Sequence, residues 1–435
     1  MSRQMHLGVF VLGTGNHIAG WRFPGATQSF EDIAVIQQIG RIAEQGKFDL
    51  LFLGDNLATD PGMHPSFAAK FEPLTMLSAL AATTTHVGLG GTASTSYTEP
   101  FNLARQFASL DHLSHGRAAW NAVTTSGDKA AANFGRSHAG HDARYEVAEE
   151  FVDVVRGLWD CWEDGAVIRD HATGRYIDAS KLKPLNHVGR FFQVKGPLPT
   201  SRTPQGNPVI IQAGSSEPGL QLAARTADVV FTVVQDKAEA QAGYQALKSR
   251  LPAFGRTADE VAVLPGCMPI VGRTREEALA KLDTLMSFVD VENSRVMLNS
   301  RLGIDVSGFP LDARVPEDFP LPDTSHGFAK AMLAKAWREK LTWRDMVNLA
   351  GAARGHWVIL GTPEEIADIL QDWFEDYACD GFNILPAYFP GAFQDFVDLV
   401  VPILQDRGLF RRDYTGTTLR EHLGLARPPS RLFGG

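Results

Sequence analysis

The sequence predicts an α/β protein built as a (β/α)8 barrel with insertions. Three observations predict it. Short apolar runs alternate with helical patterns about eight times, as parallel sheets require. The 435 residues suffice for one such barrel plus two long excursions. No short-period repeat, low-complexity tract or compositional break divides the chain, so one domain over residues 1–435 is expected.

The elements follow in order. Leu7–Leu12 reads as the first strand and Phe30–Gln45 as its helix. Leu50–Leu53 is a β-run ending in Gly54-Asp55-Asn56, followed by a helix over Pro73–Thr84. Val87–Thr92 is the third strand, Phe101–Leu113 its helix, and Ala118–Val123 the fourth strand. Val147, Phe151, Val154, Val155 and Leu158 then line one helix face. A polar stretch, about 164–207, reads as an excursion. Val209–Gln212, Val229–Thr232 and Ala262–Val271 are three more strands. A second interruption, about 290–322, is rich in Pro, Asp and Gly. Helices are expected over His326–Lys340 and Thr342–Ala352. Thr362-Pro363-Glu364-Glu365 is a helix start, with a Thr cap, Pro in the first turn and Glu three residues after the cap. Gly381–Pro386 is the last strand, and Phe393, Phe396, Val397, Val400 and Leu404 line the last helix. The polar, Pro-rich tail after Arg411 is expected to wrap the surface.

Composition removes several functions. With 41 Lys and Arg against 50 Asp and Glu, the net charge is −9, which gives no electrostatic reason to bind nucleic acid or an anionic membrane. Cys161, Cys267 and Cys379 lie far apart and form no C-x-x-C pair. Met1–Gly8 is no signal peptide, and no apolar run approaches 18 residues, so a cytoplasmic protein is expected.

In such a barrel the working residues sit at the C-terminal strand ends. That rule selects Asp55 and Asn56; Thr92, Ser94 and Thr95; Asn121, Thr124, Thr125 and Ser126; and Ser215 and Ser216. Small hydrogen-bonding residues suit a polar, uncharged ring system such as an isoalloxazine. The plainer alternative is that these Ser and Thr only cap helices. Gln212-Ala213-Gly214-Ser215-Ser216-Glu217-Pro218-Gly219 runs from a strand into a helix start whose N–H groups could seat a phosphate. His17 follows the first strand and is the candidate substrate-facing histidine. His138 and His141 with Asp142 form H-x-x-H-D, which could bind a metal, but no third ligand is close and the segment is loop-like, so no metal is assigned. Gly13-Thr14-Gly15 is an incomplete dinucleotide fingerprint.

Two stretches carry a resemblance. Gly116-Arg117-Ala118-Ala119-Trp120-Asn121-Ala122-Val123-Thr124-Thr125, with Ala131-Ala132-Asn133-Phe134-Gly135, resembles the G-R-x-x-W-N-x-V-T-S…A-A-R-N-F-G pattern of luciferase-like flavoproteins. The branch is that of the nitrilotriacetate and dibenzothiophene sulfone monooxygenases. Pro204-Gln205-Gly206-Asn207-Pro208-Val209 leading into Gln212-Ala213-Gly214-Ser215-Ser216 is similar to the same branch's P-Q-G-x-P-V…Q-A-G-S-S. Thr125 and Ala132 depart from the usual Ser and Arg. The resemblance implies a luciferase-like TIM barrel. It also implies reduced FMN (FMNH2) delivered by a separate NAD(P)H:flavin reductase, reaction with O2 at C4a to a peroxyflavin, and oxidation of a small organic substrate. It further implies a homodimer or homotetramer. By position it assigns Asp55, Ser94 or Thr95, Asn121, Thr124, His141, Tyr145 and Ser215 or Ser216 to the flavin, with His141 and Tyr145 near its phosphate, and His17 to the substrate pocket. The substrate is left open among aminopolycarboxylates, sulfur compounds and amides. Three other readings stay in play: a deazaflavin-dependent oxidoreductase on the same barrel, a metal-dependent barrel hydrolase, and a flavin-binding protein without turnover. The 290–322 insertion is expected to close over the flavin, with His17 on the opposite wall.

Overall fold

A computed structural model describes residues 3–60, 63–125, 128–214, 216–320, 326–353 and 355–433. Its parallel strands are β1 (His6–Val11), β2 (Leu50–Leu53), β3 (Gly88–Ser94), β4 (Ala118–Val123), β5 (Val209–Gln212), β6 (Val229–Thr232), β7 (Ala262–Val271), β8 (Trp357–Gly361) and β9 (Gly381–Ile384). Eight of them close a barrel in the order β1-β2-β3-β4-β5-β6-β7-β9, with β9 pairing back onto β1 through His6–Val9. β8 stands outside the closed ring. It pairs with the far half of the ten-residue β7, from Cys267 to Val271.

Both faces of these strands are buried, which is why they read as continuous apolar runs. Phe10, Leu50, Phe52, Ala119, Val209, Ile211, Val229 and Leu264 fill the interior. Phe10, Phe52 and Phe231 meet there with ring centroids 4.8–5.9 Å apart. The alternate residues, such as Leu7, Val9, Val11, Leu51 and Trp120, face the surrounding helices. Helices α1 (Ile33–Gln45) and α2 (Pro73–Ala81) precede α3 (Pro100–Leu113) and α4 (His141–Trp159), and Trp120 packs on Phe107 of α3 and on Phe151 and Trp159 of α4.

Most element boundaries agree with the sequence pattern. The Thr362 cap forms the full capping box with Glu365, and Pro363 opens the helix Pro363–Glu375. Three features differ. First, the 290–322 segment is not all irregular, because Val291–Leu302 is a helix capped by Asp290. Its inner stripe is Ser294, Met297, Leu298 and Leu302, and the polar first member hides the helical spacing. Together with His326–Glu339 and Trp343–Ala353 it forms a lobe with its own core, including Leu298, Leu302, Phe319, Trp343 and Met346. Second, β8 went unanticipated between two helical patterns. Third, the last helix is broken by a π-turn over Phe396–Val400.

The 164–207 excursion carries two small antiparallel hairpins, Val167–Asp170 with Arg175–Ile177 and His187–Val188 with Gln193–Val194. The tail does more than wrap. Leu419, Leu423 and Leu425 are buried in the interior cluster at the N-terminal barrel end, and Leu419 N–H donates to Gly116 O at 3.0 Å. Arg420 pairs with Asp228 at 3.0 Å, and Arg411 pairs with the fully buried Asp49. The floor of the barrel is thus sealed, and its C-terminal end is left for chemistry.

Candidate functional site

At the C-terminal end, β3, β4 and β5 lock their polar side chains into one another. Thr92 Oγ1 donates to Leu53 O at 2.8 Å and accepts from Asn121 Nδ2 at 2.8 Å. Gln212 Nε2 donates to Ala122 O at 3.0 Å. Thr125 Oγ1 donates to Ser94 Oγ at 2.7 Å. The Thr95 hydroxyl and N–H both go to Val123 O, at 3.2 and 2.9 Å, so Thr95 ties β3 to β4. Thr124 uses its carbonyl to accept from Ser96 Oγ at 2.8 Å. Asn121 is held by its amide nitrogen, and its Oδ1 is buried and bonded to nothing among the described residues. It is an acceptor waiting for a donor.

The loop after β1 supplies the opposite kind of group. Asn16 Nδ2 donates to Phe10 O and Pro386 O at 3.0 and 3.2 Å, pinning the loop to the segment after β9. Gly15, at φ +135°, lies against the Ala387 carbonyl where a Cβ has no room. His17 Nδ1 accepts from Ala19 N–H at 3.1 Å, so in the neutral ring the proton resides on Nε2. That Nε2 is buried without a partner among the described residues. Burial holds the His17 pKa down at about 4, so the ring is neutral at pH 7.

After β2, Asp55 forms a near-buried ion pair with Lys70. Burial raises the Asp55 pKa even against the opposing pull of Lys70.

On the β5 side, the start of helix α5 (Glu217–Thr226) meets α4. Ser216 Oγ accepts from Gly219 N–H at 3.3 Å, an ordinary N-cap. A Cβ on Gly214 or Gly219 would come within 2.9 or 3.0 Å of Tyr145 Oη, so the tyrosine hydroxyl presses directly on this helix start. Two glycines permit that approach. His141 opens α4, with its ring 5.0 Å from that of Tyr145 and Nδ1 2.8 Å from Asp142. His141, Tyr145 and Ser216 are therefore brought together, as are Ser94, Thr95, Asn121 and Thr124. Ser215 and Ser126 lie outside the described residues.

Sequence reasoning missed Lys70, Tyr97 and Arg144, and read His138 only as a metal candidate. His138 Nε2 accepts from Arg144 Nη1 at 2.7 Å, and its Nδ1 lies 3.4 Å from Tyr97 Oη. A guanidinium against His138 is the opposite of what a dication needs. None of these four ends a strand, so the strand-end rule could not select them.

The residues fit a flavin on observations independent of ancestry. His17 Nε2 is an orphaned donor and Asn121 Oδ1 an orphaned acceptor, matching a ring system that carries both. The α5 start, with Tyr145 against it, matches a phosphate.

Known proteins resemble this chain along nearly its whole length. Residues 5–379 match the family model described as luciferase-like monooxygenase. The chain is 48% identical to N-acetyl-S-(2-succino)cysteine monooxygenase of Bacillus subtilis (strain 168), over 99% of this chain and 98% of the relative. It is 46% identical to nitrilotriacetate monooxygenase component A of Aminobacter aminovorans, covering 98% of each. Among solved structures, a riboflavin lyase crystallised with modified FMN and riboflavin superposes with a TM-score of 0.88 at 32% identity, covering 99% of this chain and 98% of that one.

Proposed function

The chain belongs to the luciferase-like monooxygenase family, and from that premise we propose that it is the oxygenase component of a two-component system that uses reduced FMN delivered by an NAD(P)H:flavin reductase. Bound reduced flavin supplies the two electrons that split O2, leaving one oxygen atom on the substrate and the other in water. The protein's own work is binding, orientation and exclusion of water. Neutral His17 offers Nε2–H at the substrate side. Asn121 Oδ1 and the locked Ser94–Thr125 pair offer acceptors to the ring. Tyr145, His141 and Ser216 hold the phosphate end.

The observation that most supports this reading is the meeting of Tyr145 Oη with Gly214 and Gly219 at the start of α5, because it shapes one helix N-terminus into a seat for an anion. The substrate is a small organic molecule. The relatives at 46–48% identity are named for nitrilotriacetate and N-acetyl-S-(2-succino)cysteine, both carrying several carboxylates around an oxidisable heteroatom. Compounds of that kind head the substrate screen.

The test combines the purified chain, FMN, NADH and a generic flavin reductase with candidate substrates, read by mass spectrometry for incorporated oxygen from 18O2. Turnover is expected only with the reductase present. Robust NADH oxidation by the chain and FMN alone would sink the two-component reading.

A further inference from the structure

Asn383 sits within β9, and its side chain points into the barrel, because its neighbours Phe382 and Ile384 face the surrounding helices. It is buried, and its Oδ1 is bonded to nothing among the described residues. The other buried side-chain amides are anchored. Asn16, Asn121, Gln205, Asn207, Gln212 and Gln235 each donate through their nitrogen to a carbonyl, a carboxylate or a hydroxyl. Among the described residues, the Asn383 side chain alone of these amides neither donates nor accepts.

Its surroundings make that costly. In the ring of eight strands β4 and β9 stand opposite each other, so Asn121 and Asn383 enter the interior from opposite sides. Phe52 of β2 and Phe231 of β6, the strands midway between them, touch at 5.9 Å. No strand of the ring contains Asp, Glu, Lys or Arg. An amide placed there loses its hydration, and only a hydrogen-bond partner restores the loss. A charged partner would lack a counter-ion at this level, so the partner is neutral. The register partners of Asn383 are Gly8 on β1 and Gly266 on β7. Oδ1 lies over Gly8, where a Cβ would come within 3.0 Å of it. Just beyond β9, Pro386 O and Ala387 O hold Asn16 and His17. Asn383 and His17 thus share the β9–β1 sector of the barrel.

We propose that Asn383 determines specificity by binding a neutral amide group of the substrate, with Oδ1 accepting from the amide N–H. An amide matches Asn383 because it is uncharged and carries a donor beside an acceptor. Carboxylates of the same substrate stay at the mouth, outside the uncharged interior. The proposal rests on the flavin reading above, in which the phosphate end at α5 and the ring against β3 and β4 leave the β9–β1 sector to the substrate.

The experiment measures equilibrium binding to the full chain with saturating FMN, for wild type and Asn383→Ala. The probes are N-acetyl-S-(2-succino)cysteine and the same compound methylated on its amide nitrogen. Wild type is expected to bind the N–H compound about tenfold more tightly, as one buried hydrogen bond gives. Asn383→Ala should bind the two alike. No binding of either probe to wild type, a wild-type ratio near one, or the same ratio in both proteins overturns the proposal. FMN affinity, read by fluorescence quenching, should be the same in both. A fall in Asn383→Ala would assign the amide to the flavin and overturn the proposal as well. Asn383→Leu tests a purely structural role. Without ligand its Tm should rise, because an apolar side chain of similar size replaces an unsatisfied amide. A lower Tm, or a chain that does not fold, would assign the amide to the fold through an ordered water and overturn the proposal. Binding by wild type without turnover in the presence of the reductase would sink the oxygenase reading and leave the Asn383 contact standing.

Discussion

At the scale of single residues, two buried groups pull the pH dependence of stability in opposite directions. Asp111 is fully buried and accepts from Ala118 N–H at 3.1 Å and Gln205 Nε2 at 2.6 Å, with the Thr203 side chain and Gln205 backbone also beside it. Burial lifts its pKa to about 6. The native state therefore holds a proton that the unfolded state has lost, and stability falls as pH rises from about 4 to about 6. The shift of roughly two units corresponds to about 3 kcal/mol. His17 does the reverse. Its pKa of about 4 lies below the unfolded value, so stability rises with pH until about 6.5 and is lost in acid. Asp111→Asn should thus gain stability over wild type at pH 8 and much less at pH 4.5, measured by urea unfolding. A difference that does not change with pH would refute the assignment to Asp111. His17→Gln should flatten the acid side of the stability profile. It should also slow product formation, because Nε2–H is removed from the pocket, while FMN affinity changes little. An unaltered product yield per reduced flavin would mean that His17 is only structural.

At the scale of elements, the α5 start serves two purposes that one substitution separates. Ser216→Ala removes the cap to Gly219 and should cost about 1 kcal/mol of stability. If the same helix start seats the flavin phosphate, FMN binding should weaken more than riboflavin binding. Equal losses for the two ligands would leave only the cap. What the sequence made legible follows from burial. Strands enclosed on both faces show unbroken apolar runs, so β2, β4, β5, β6 and β7 were readable to the residue. Val291–Leu302 was not, because Ser294 occupies its inner stripe, and its partner helices that make the stripe meaningful lie dozens of residues away. The site divides the same way. Asn121, Ser94 and Ser216 were legible as strand-end residues. Lys70, Tyr97 and Arg144 became visible only through what they touch: Asp55, His138 and Ala139.

At the scale of the whole molecule, the helical lobe and the barrel share one seam. Ile18 N–H donates to Gly351 O at 3.0 Å, Ile18 and Ala19 pack on Met297, and Gln235 Nε2 reaches Gly355 O across from β6. The expected arrangement, with the insertion and His17 on opposite walls, is thereby corrected: the lobe packs on the very loop that carries His17. A Cβ on Gly351 would come within 2.6 Å of Ser294 Oγ and 3.4 Å of Ile18. Gly351→Ala should press apart two helices of the lobe, Val291–Leu302 and Trp343–Ala353, at the point where they meet Ile18. Its expected signature is more hydrogen peroxide per reduced flavin consumed, with FMN affinity near the wild-type value. Undiminished coupling would leave the lobe without a role in keeping water out. The sealed floor has a consequence of a different kind. Asp49 is buried without exposure, and the guanidinium that neutralises it, Arg411, is 362 residues further along the chain. While the polypeptide emerges from the ribosome, the first four strands are made long before that cation exists. His6 Nδ1 at 3.2 Å and Leu7 N–H at 2.8 Å reach Asp49 from the start, but neither is a permanent cation, and shutting a carboxylate away from water without one is costly, so the early half-barrel is expected to stay open until Arg411 has been made. Nascent chains arrested before residue 411 should therefore be cut by protease along their whole length, including the segments made first.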